Sequence, residues 1–300
     1  MYAIVGSGFG LYGYLPAIVG VQDATVLLPR AYESKVRART ELANTLPNIR
    51  WVDDEITAIS LASTVVIAVP PQRQFELLSR CLELPLVKKL VLEKPLAVTP
   101  VLAAELILNL NAAQKSYRIS YTLLNTAWHN QLLWPKLSTT NAVISINWTF
   151  MAHHFATQLI SWKRLHADGG GVLRFYGIHL VALLAYHGYD EVYSSVLEGE
   201  DQHEPERWDA VFNGPGLPDC YVHVDSRSTK KQFMMVCRIG SEENLLFKMT
   251  DPFEQEVRTG DDDPRVSVLK RLIDSFGVDD ISYDLFYKRV NALWRKIELA

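Results

Sequence analysis

From residue 2 to about residue 122 the chain alternates short apolar runs with segments of helical period, and no other pattern restricts its fold as strongly. Such alternation predicts repeated strand-helix-strand units around a parallel sheet. The runs are Tyr2 to Val5, Thr25 to Leu28, Arg50 to Val52, Val65 to Val69, Lys89 to Leu92 and Arg118 to Tyr121. Between them Leu15 to Val21, Glu33 to Thr45, Gln74 to Leu84 and Val101 to Gln114 read as helices, the last opened by Thr99 and Pro100 as N-cap and first helical residue. Six strands of this kind fill a doubly wound sheet.

Beyond Thr122 the period changes. Asn141 to Phe150, Tyr193 to Leu197, Trp208 to Phe212, Tyr221 to Val224, Gln232 to Arg238 and Asn244 to Met249 are rich in β-branched and aromatic residues and are joined by Gly, Pro and Asp turns. An antiparallel sheet follows from that series, with a helix over Gly169 to Gly188 and two more near Pro264 to Phe276 and Tyr283 to Leu299. The expected fold class is therefore α/β: a Rossmann doubly wound parallel sheet over residues 1–122, then an α+β domain with a large, mostly antiparallel sheet over residues 123–300. A chain of 300 residues is long enough for two cores.

A formal net charge of −4 supplies no electrostatic reason for a nucleic-acid or membrane partner. Small molecules remain as ligands. Cys81, Cys220 and Cys237 are too few and too widely spaced for a disulfide framework or a zinc site, and read as buried or free thiols. The chain opens on a strand without a basic leader, and its longest apolar stretch, Leu180 to Tyr186, falls short of the roughly 18–20 residues a bilayer span needs. A cytoplasmic location is expected.

The first strand ends in Gly6-Ser7-Gly8-Phe9-Gly10-Leu11 and a helix follows. There a tight turn lets backbone amides approach a pyrophosphate at a helix N-terminus, which makes these six residues candidate dinucleotide ligands; a plain structural turn is the alternative. Leu11 stands where the fingerprint carries its third glycine. About 20 residues on, where an NAD site places a carboxylate on the ribose, the chain has no acid. Arg30, with Ser34 and Lys35 nearby, suits a 2′-phosphate, so the expected cofactor is NADP in preference to NAD; the alternative is a solvated Arg30.

Two further strand ends carry chemistry. Val69-Pro70-Pro71 closes the fourth run and Glu93-Lys94-Pro95 the fifth, at the edge of an open α/β sheet where ligands bind, so Val69, Pro70, Pro71, Glu93 and Lys94 are candidate cofactor contacts. A lysine before proline is held extended and can aim its ammonium into a crevice, although a lone lysine is more often a surface residue. Gln74, after the double proline, opens the expected helix Gln74 to Leu84, with a plain loop residue as the alternative. In the second half Gly169-Gly170-Gly171 precedes a helix on which Val172, Phe175, His179, Ala182 and Leu183 share a face if the period is α-helical throughout. The glycines allow close backbone approach, so the helix can present His179 toward a ligand; a packed core histidine is the alternative. His153 and His154, read as strand neighbours, point to opposite faces and form no metal site. Asp261 to Asp263 read as a loop and helix cap.

The order and spacing of GSGFG, AVPP, EKPLAVT and GGGVLRFYGIHL resemble the glucose-fructose oxidoreductase, inositol dehydrogenase and MocA (Gfo/Idh/MocA) family over nearly the whole chain. That resemblance implies an NAD- or NADP-dependent dehydrogenase or reductase of sugars, nucleotide sugars or cyclic polyols. Lys94 would hydrogen-bond the reacting oxygen and His179 would serve as acid/base. It also implies a homo-oligomer built through the C-terminal sheet. Phe175 departs from the aspartate relatives place four residues before the histidine, and Gln74 stands where they often carry histidine. Tyr121, Asn125, Trp128, Trp162, Lys163, Arg164, Phe175 and Tyr176 are candidate substrate contacts, since aromatic rings stack on sugars and cations suit a carboxylate or diphosphate. Two other functions stay open: a non-catalytic dinucleotide or nucleotide-sugar binder, and a non-redox enzyme using transient oxidation.

Overall fold

The computed structural model of the chain describes residues 1–21, 24–134, 142–258, 260–278 and 280–300. Two compact units divide them. The first comprises Met1–Ala97, Glu105–Asn125 and Glu256–Asp284, and the second Val98–Ala104, Thr126–Gln255 and Leu285–Ala300.

The first unit is built on β1 (Tyr2–Val5), β2 (Val26–Pro29), β3 (Ile49–Val52), β4 (Thr64–Ile67), β5 (Lys89–Leu92) and β6 (Ser116–Ile119), all parallel, in the order β3-β2-β1-β4-β5-β6. This is the doubly wound Rossmann order, whose reversal between β1 and β4 leaves a crevice at the strands' carboxyl ends. The central strands β2 and β4 are buried at every position, as a sheet covered on both faces requires. A helix over Glu55–Leu61, absent from the sequence reading, follows β3; the Asp54 side chain caps it by accepting from the Thr57 amide at 2.7 Å. The sixth strand lies two residues earlier than its apolar pattern suggests, which leaves Ser120 and Tyr121 beyond its end.

Residues 256–284 return to this unit because Arg118 holds them. Its side chain is fully buried, and it donates to Ser275 Oγ (2.8 Å), the Ser275 carbonyl (2.6 Å), the Val278 carbonyl (3.3 Å) and the Tyr117 carbonyl (2.9 Å), and pairs with Asp280 at 2.8 Å. Its guanidinium also lies 3.7 Å from the centre of the Tyr283 ring. A buried guanidinium is tolerated only when its donors are occupied in this way. Leu269, Leu272 and Ile273 of the helix Arg265–Asp274 then join Leu11, Leu15 and Ile18 in one core cluster.

The second unit is built on β7 (Ala142–Met151), β8 (Glu191–Glu198), β9 (Arg207–Asn213), β10 (Asp219–Asp225), β11 (Arg227–Ile239) and β12 (Glu242–Met249), in the order β12-β11-β7-β10-β9-β8. Every pair is antiparallel except β7 with β10. Asn141, the first residue of the expected strand, lies outside the described residues. Strand β9 alternates between buried and more exposed positions, so one face of this sheet is packed and the other open. His153 and His154 are not strand neighbours: β7 ends at Met151, and His153–Ala156 forms a short helix. The helical run His166–His187 has the length and apolarity of a membrane span, but 83% of its most apolar window is buried inside the protein.

Candidate functional site

In the first unit the three glycines of the first turn have three distinct surroundings. Gly6 has φ +126°, and a Cβ there would lie 2.1 Å from the Ala68 carbonyl oxygen. An added Cβ at Gly8 would meet nothing within 4 Å, so its outer side is open space. At Gly10 it would lie 3.0 Å from Ile4 Cγ2 and 3.3 Å from Ala68 Cβ, so this glycine lets the following helix press on the sheet. Tight turn, open phosphate side and close helix-sheet packing are the three jobs of a dinucleotide fingerprint. The third is done one position earlier than the spacing suggests: Leu11, at the fingerprint position, is buried in the core. The turn enters a wide π-type segment, Gly10–Tyr14, before the α-helix Leu15–Val19.

Around this turn, Tyr32 Oη accepts from the Gly6 amide at 3.1 Å and donates to Glu55, which also pairs with Arg73. Burial and the Glu55 hydrogen bond hold the phenol well above its ordinary value. Lys35 Nζ donates to Ser7 Oγ at 2.7 Å, and Arg30 is exposed at the end of β2. Phe9 packs edge-on against Tyr12 and Tyr14, with the Arg265 guanidinium 4.2 Å from its ring centre.

Val69 is nearly buried, and Pro70 and Pro71 lead into the helix Pro71–Glu83. Gln74 sits on that helix, fully buried, and is no loop residue; its amide bonds to the backbone on both sides of Lys94. The Tyr14 hydroxyl donates to Glu93 Oε1 at 2.6 Å, and Glu93 Oε2 accepts from the Lys94 amide at 3.3 Å. Burial first, then the Glu93 charge, push the Tyr14 phenol well above its usual range, so it remains a donor. Lys94 is half-buried, and the Lys94–Pro95 peptide bond is cis. Tyr121 is buried and Asn125 half-buried in the same unit, where the Asn125 carbonyl accepts from Arg271 Nε at 2.5 Å.

In the second unit the triple glycine fixes how the chain enters the next helix. Gly169 and Gly171 have φ of +86° and +73°, and a Cβ on Gly170 would lie 2.1 Å from the Trp162 carbonyl oxygen. The Gly171 amide donates to the Lys163 carbonyl at 2.8 Å and the Gly170 amide to the Leu165 carbonyl at 2.9 Å. The 162–165 loop is thereby fastened to the helix start. Trp162 meets Phe175 edge-on at 5.4 Å, and Lys163 Nζ lies 5.3 Å from the Phe175 ring centre. Phe175 meets Tyr176 at 4.8 Å, and Tyr176 meets Phe150 at 4.7 Å and Trp148 at 6.1 Å. Arg164 pairs with Glu204, its Nε at 2.7 Å.

His179 lies on the helix Ile178–His187 and is 6% exposed. The segment before it, Val172–Gly177, is a wide π-type turn, so one α-helical period does not run from Val172 through Phe175 to His179. The Trp128 indole donates to the Pro252 carbonyl at 2.8 Å and its ring packs on Phe233 and Phe247, and Phe233 in turn meets Trp148 at 5.7 Å. His154, which the sequence reading set aside, sits against Tyr176 at 6.1 Å and Phe155 at 4.6 Å. Burial, then the charges of Lys163, Arg164 and His153, push its imidazole down to about 4, so it is neutral at physiological pH.

No protein-family model matches this chain, and no curated protein matches it in sequence. Solved structures do. The WlbA dehydrogenase from Chromobacterium violaceum, solved with NADH and UDP-GlcNAcA, superposes with a TM-score of 0.71 at 14% identity, covering 99% of this chain and 92% of its own. KijD10, a 3-ketoreductase from Actinomadura kijaniata solved with NADP and TDP-benzene, gives 0.69 at 12%, covering 99% and 96%. A super-repressor mutant of Gal80p from Saccharomyces cerevisiae gives 0.69 at 12%, covering 99% and 95%. The likeness therefore reaches both dehydrogenases and a repressor. Taken with the two sheets and the first-turn glycines, it establishes that this chain has the fold of the Gfo/Idh/MocA-type dehydrogenases.

Proposed function

We propose that the protein is an NAD(P)-dependent oxidoreductase acting on a secondary alcohol or keto group of a sugar, nucleotide sugar or cyclic polyol. The observation that carries this reading is the open side of Gly8 in a turn whose other glycines are closed by backbone and core atoms. Open space alone also occurs at the turn glycines Gly216, Gly240, Gly260 and Gly277; at Gly8 it lies between the end of β1 and the following helix, where a pyrophosphate would need it. Gly6 to Gly10 would hold the diphosphate of the cofactor, and the bound nicotinamide supplies or accepts the hydride.

On this reading Lys94 donates a hydrogen bond to the reacting oxygen and stabilises its charge as an alkoxide develops, while His179 gives or takes the hydroxyl proton. Trp162, Phe175 and Tyr176 offer ring faces to a sugar, and Lys163 a positive charge to an anionic substituent. Phe175 cannot orient an imidazole as an aspartate would, so these rings favour a substrate with an apolar or planar flank. The NADP preference is supported by Lys35 at Ser7, by exposed Arg30, and by Glu55, whose carboxylate is already engaged by Tyr32 and Arg73. A location in the cytoplasm agrees with three buried free cysteines.

The test is titration of the purified chain with NADPH and NADH, then turnover with UDP-sugars, myo-inositol and free hexoses. Gly8→Val is expected to keep the wild-type unfolding midpoint while cofactor affinity falls at least about tenfold, because its side chain enters empty space that the phosphate needs. Equal affinity in both proteins would end this reading of the turn. The repressor among the similar structures keeps a second reading in view, a binder that does no chemistry. Tight cofactor binding with no turnover on any substrate would favour it.

The second copy of a homo-oligomer would cover the open face of the second unit's sheet. Leu245, Val236, Ser145, Tyr221 and Val211 form one cross-strand row, in which Val236 is buried while Leu245 is 58% and Tyr221 47% exposed. Sedimentation velocity is expected to show at least a dimer, and a monomer at working concentration would remove the assignment.

A further inference from the structure

We infer that Gln74 is the positioning residue for Lys94, an inference that rests on the oxidoreductase reading for its consequence in catalysis. The side chain is fully buried on the helix Pro71–Glu83. Its Nε2 donates to the Glu93 carbonyl at 2.8 Å and to the Leu96 carbonyl at 3.1 Å, with the Pro95 carbonyl 3.5 Å away. Its Oε1 accepts from the Glu93 amide at 2.8 Å. Both donors and the acceptor of one carboxamide are thus spent on the residues that bracket Lys94.

The orientation of the amide follows from its partners. Two carbonyls can face only the NH2 group, and one N–H can face only the oxygen, so the assignment of N and O is settled by the network. Residues 93–96 lie past the end of β5, where no neighbouring strand satisfies all their backbone groups. From β4 the Ile67 carbonyl accepts from the Glu93 amide at 3.3 Å; Gln74 adds a shorter bond to that amide and donors to the Glu93 and Leu96 carbonyls, and the Tyr14 bond to Glu93 fixes the same residue from the glycine-turn helix. Lys94 is therefore carried on a segment whose backbone is tied on both sides of it. A general hydrophobic role does not explain this arrangement, because an apolar side chain of the same length would deprive the Glu93 and Leu96 carbonyls of these donors and leave the Glu93 amide with its longer bond to Ile67. A reacting group displaced by about 1 Å can lose on the order of 10²-fold in rate.

The experiment compares the full-length wild type with Gln74→Met, which keeps the volume and loses every bond, and Gln74→His, which keeps one donor and one acceptor. Lysines are reductively methylated with 13C-formaldehyde, the Lys94 resonance is assigned with Lys94→Arg, and its position and titration midpoint are recorded without cofactor. Turnover and the KM for cofactor are measured in parallel on unmethylated protein. In Gln74→Met the Lys94 resonance is expected to move to the position of exposed lysines, with kcat down about 10²-fold and cofactor KM unchanged. Gln74→His is expected to recover part of both.

A Lys94 resonance and midpoint unchanged in folded Gln74→Met would overturn the inference, as would a histidine variant no better than methionine. Should Gln74→Met fold poorly, the resonance of Gln74→His decides alone, since a purely structural role leaves it at the wild-type position. The oxidoreductase reading fails separately, through a wild type that binds neither NADH nor NADPH. In that event the resonance still tells whether Gln74 positions Lys94.

Discussion

Replacing Gly6 with alanine is expected to abolish dinucleotide binding and to lower global stability by about 3 kcal/mol. The backbone there has φ +126°, a region that side-chain-bearing residues rarely enter, and the new methyl would lie 2.1 Å from the Ala68 carbonyl oxygen and 2.7 Å from its carbon. Neither atom can retreat easily. Ala68 donates its amide to the Val5 carbonyl at 2.7 Å, so moving it pulls on the pairing of β1 with β4 at the centre of the sheet. The Gly6 amide would also leave the Tyr32 hydroxyl that caps it, loosening Glu55 and Arg73 behind it. Urea unfolding and NADPH titration of the variant measure both effects. Wild-type stability in Gly6→Ala would mean that the turn is slack, and the contrast with Gly8→Val, where only binding should fall, would lose its meaning.

The parallel sheet was legible because its buried strands must be apolar along their whole length, and the turn because glycine is the residue that tolerates its backbone. What sequence could not show is which glycine does which job. Spacing assigned the close-packing role to position 11, yet Gly10 touches Ile4 and Ala68, since the π-type segment that follows alters where the helix meets the sheet. The helix Glu55–Leu61 did leave a local trace, Asp54 three residues before Thr57, that a search for N-caps would have found.

Long-range partnerships left no such trace. Gln74 reaches residues 93–96, and Arg118 reaches residues 275–280; each is an ordinary polar residue until its partner is known. The wide turn over Val172–Gly177 is equally silent, because an i to i+5 bond has no residue preference of its own and arises where tertiary contacts require it. Trp162, Phe175 and Tyr176 come from two separate segments and meet ring to ring, a contact that hangs on the hydrogen bonds of Gly170 and Gly171 to the 162–165 loop and that neither segment shows alone.

Arg174→Met is expected to cost about 3 kcal/mol at neutral pH and to change how stability depends on acid. Arg174 is one residue before Phe175, in the middle of an apolar run, and its charge is matched far along the chain. Its Nε and Nη2 donate to the two oxygens of Glu298 at 2.7 and 2.8 Å, and Nη1 donates to the His166 carbonyl at 2.7 Å. Trp294 Nε1 adds a third donor to that carboxylate at 2.8 Å. Burial alone would raise the Glu298 carboxyl; the hydrogen bonds and charges of Arg174 and His166 override it and hold it near 2, against 4.5 ordinarily. The sign follows: between these values the unfolded chain binds a proton that the folded chain refuses, so stability rises with pH through the window and is lost as pH falls from 4.5 toward 2. The group contributes about 2–3 kcal/mol above that window, allowing for its partial exposure. In Arg174→Met burial regains the upper hand, the folded carboxyl moves up, and the slope should flatten or invert. Urea unfolding of both proteins across the acid window and at neutral pH measures this directly. A variant that keeps the wild-type slope would show that Trp294 and His166 suffice to hold the carboxylate, and that the arginine beside Phe175 serves the helix and not its charge.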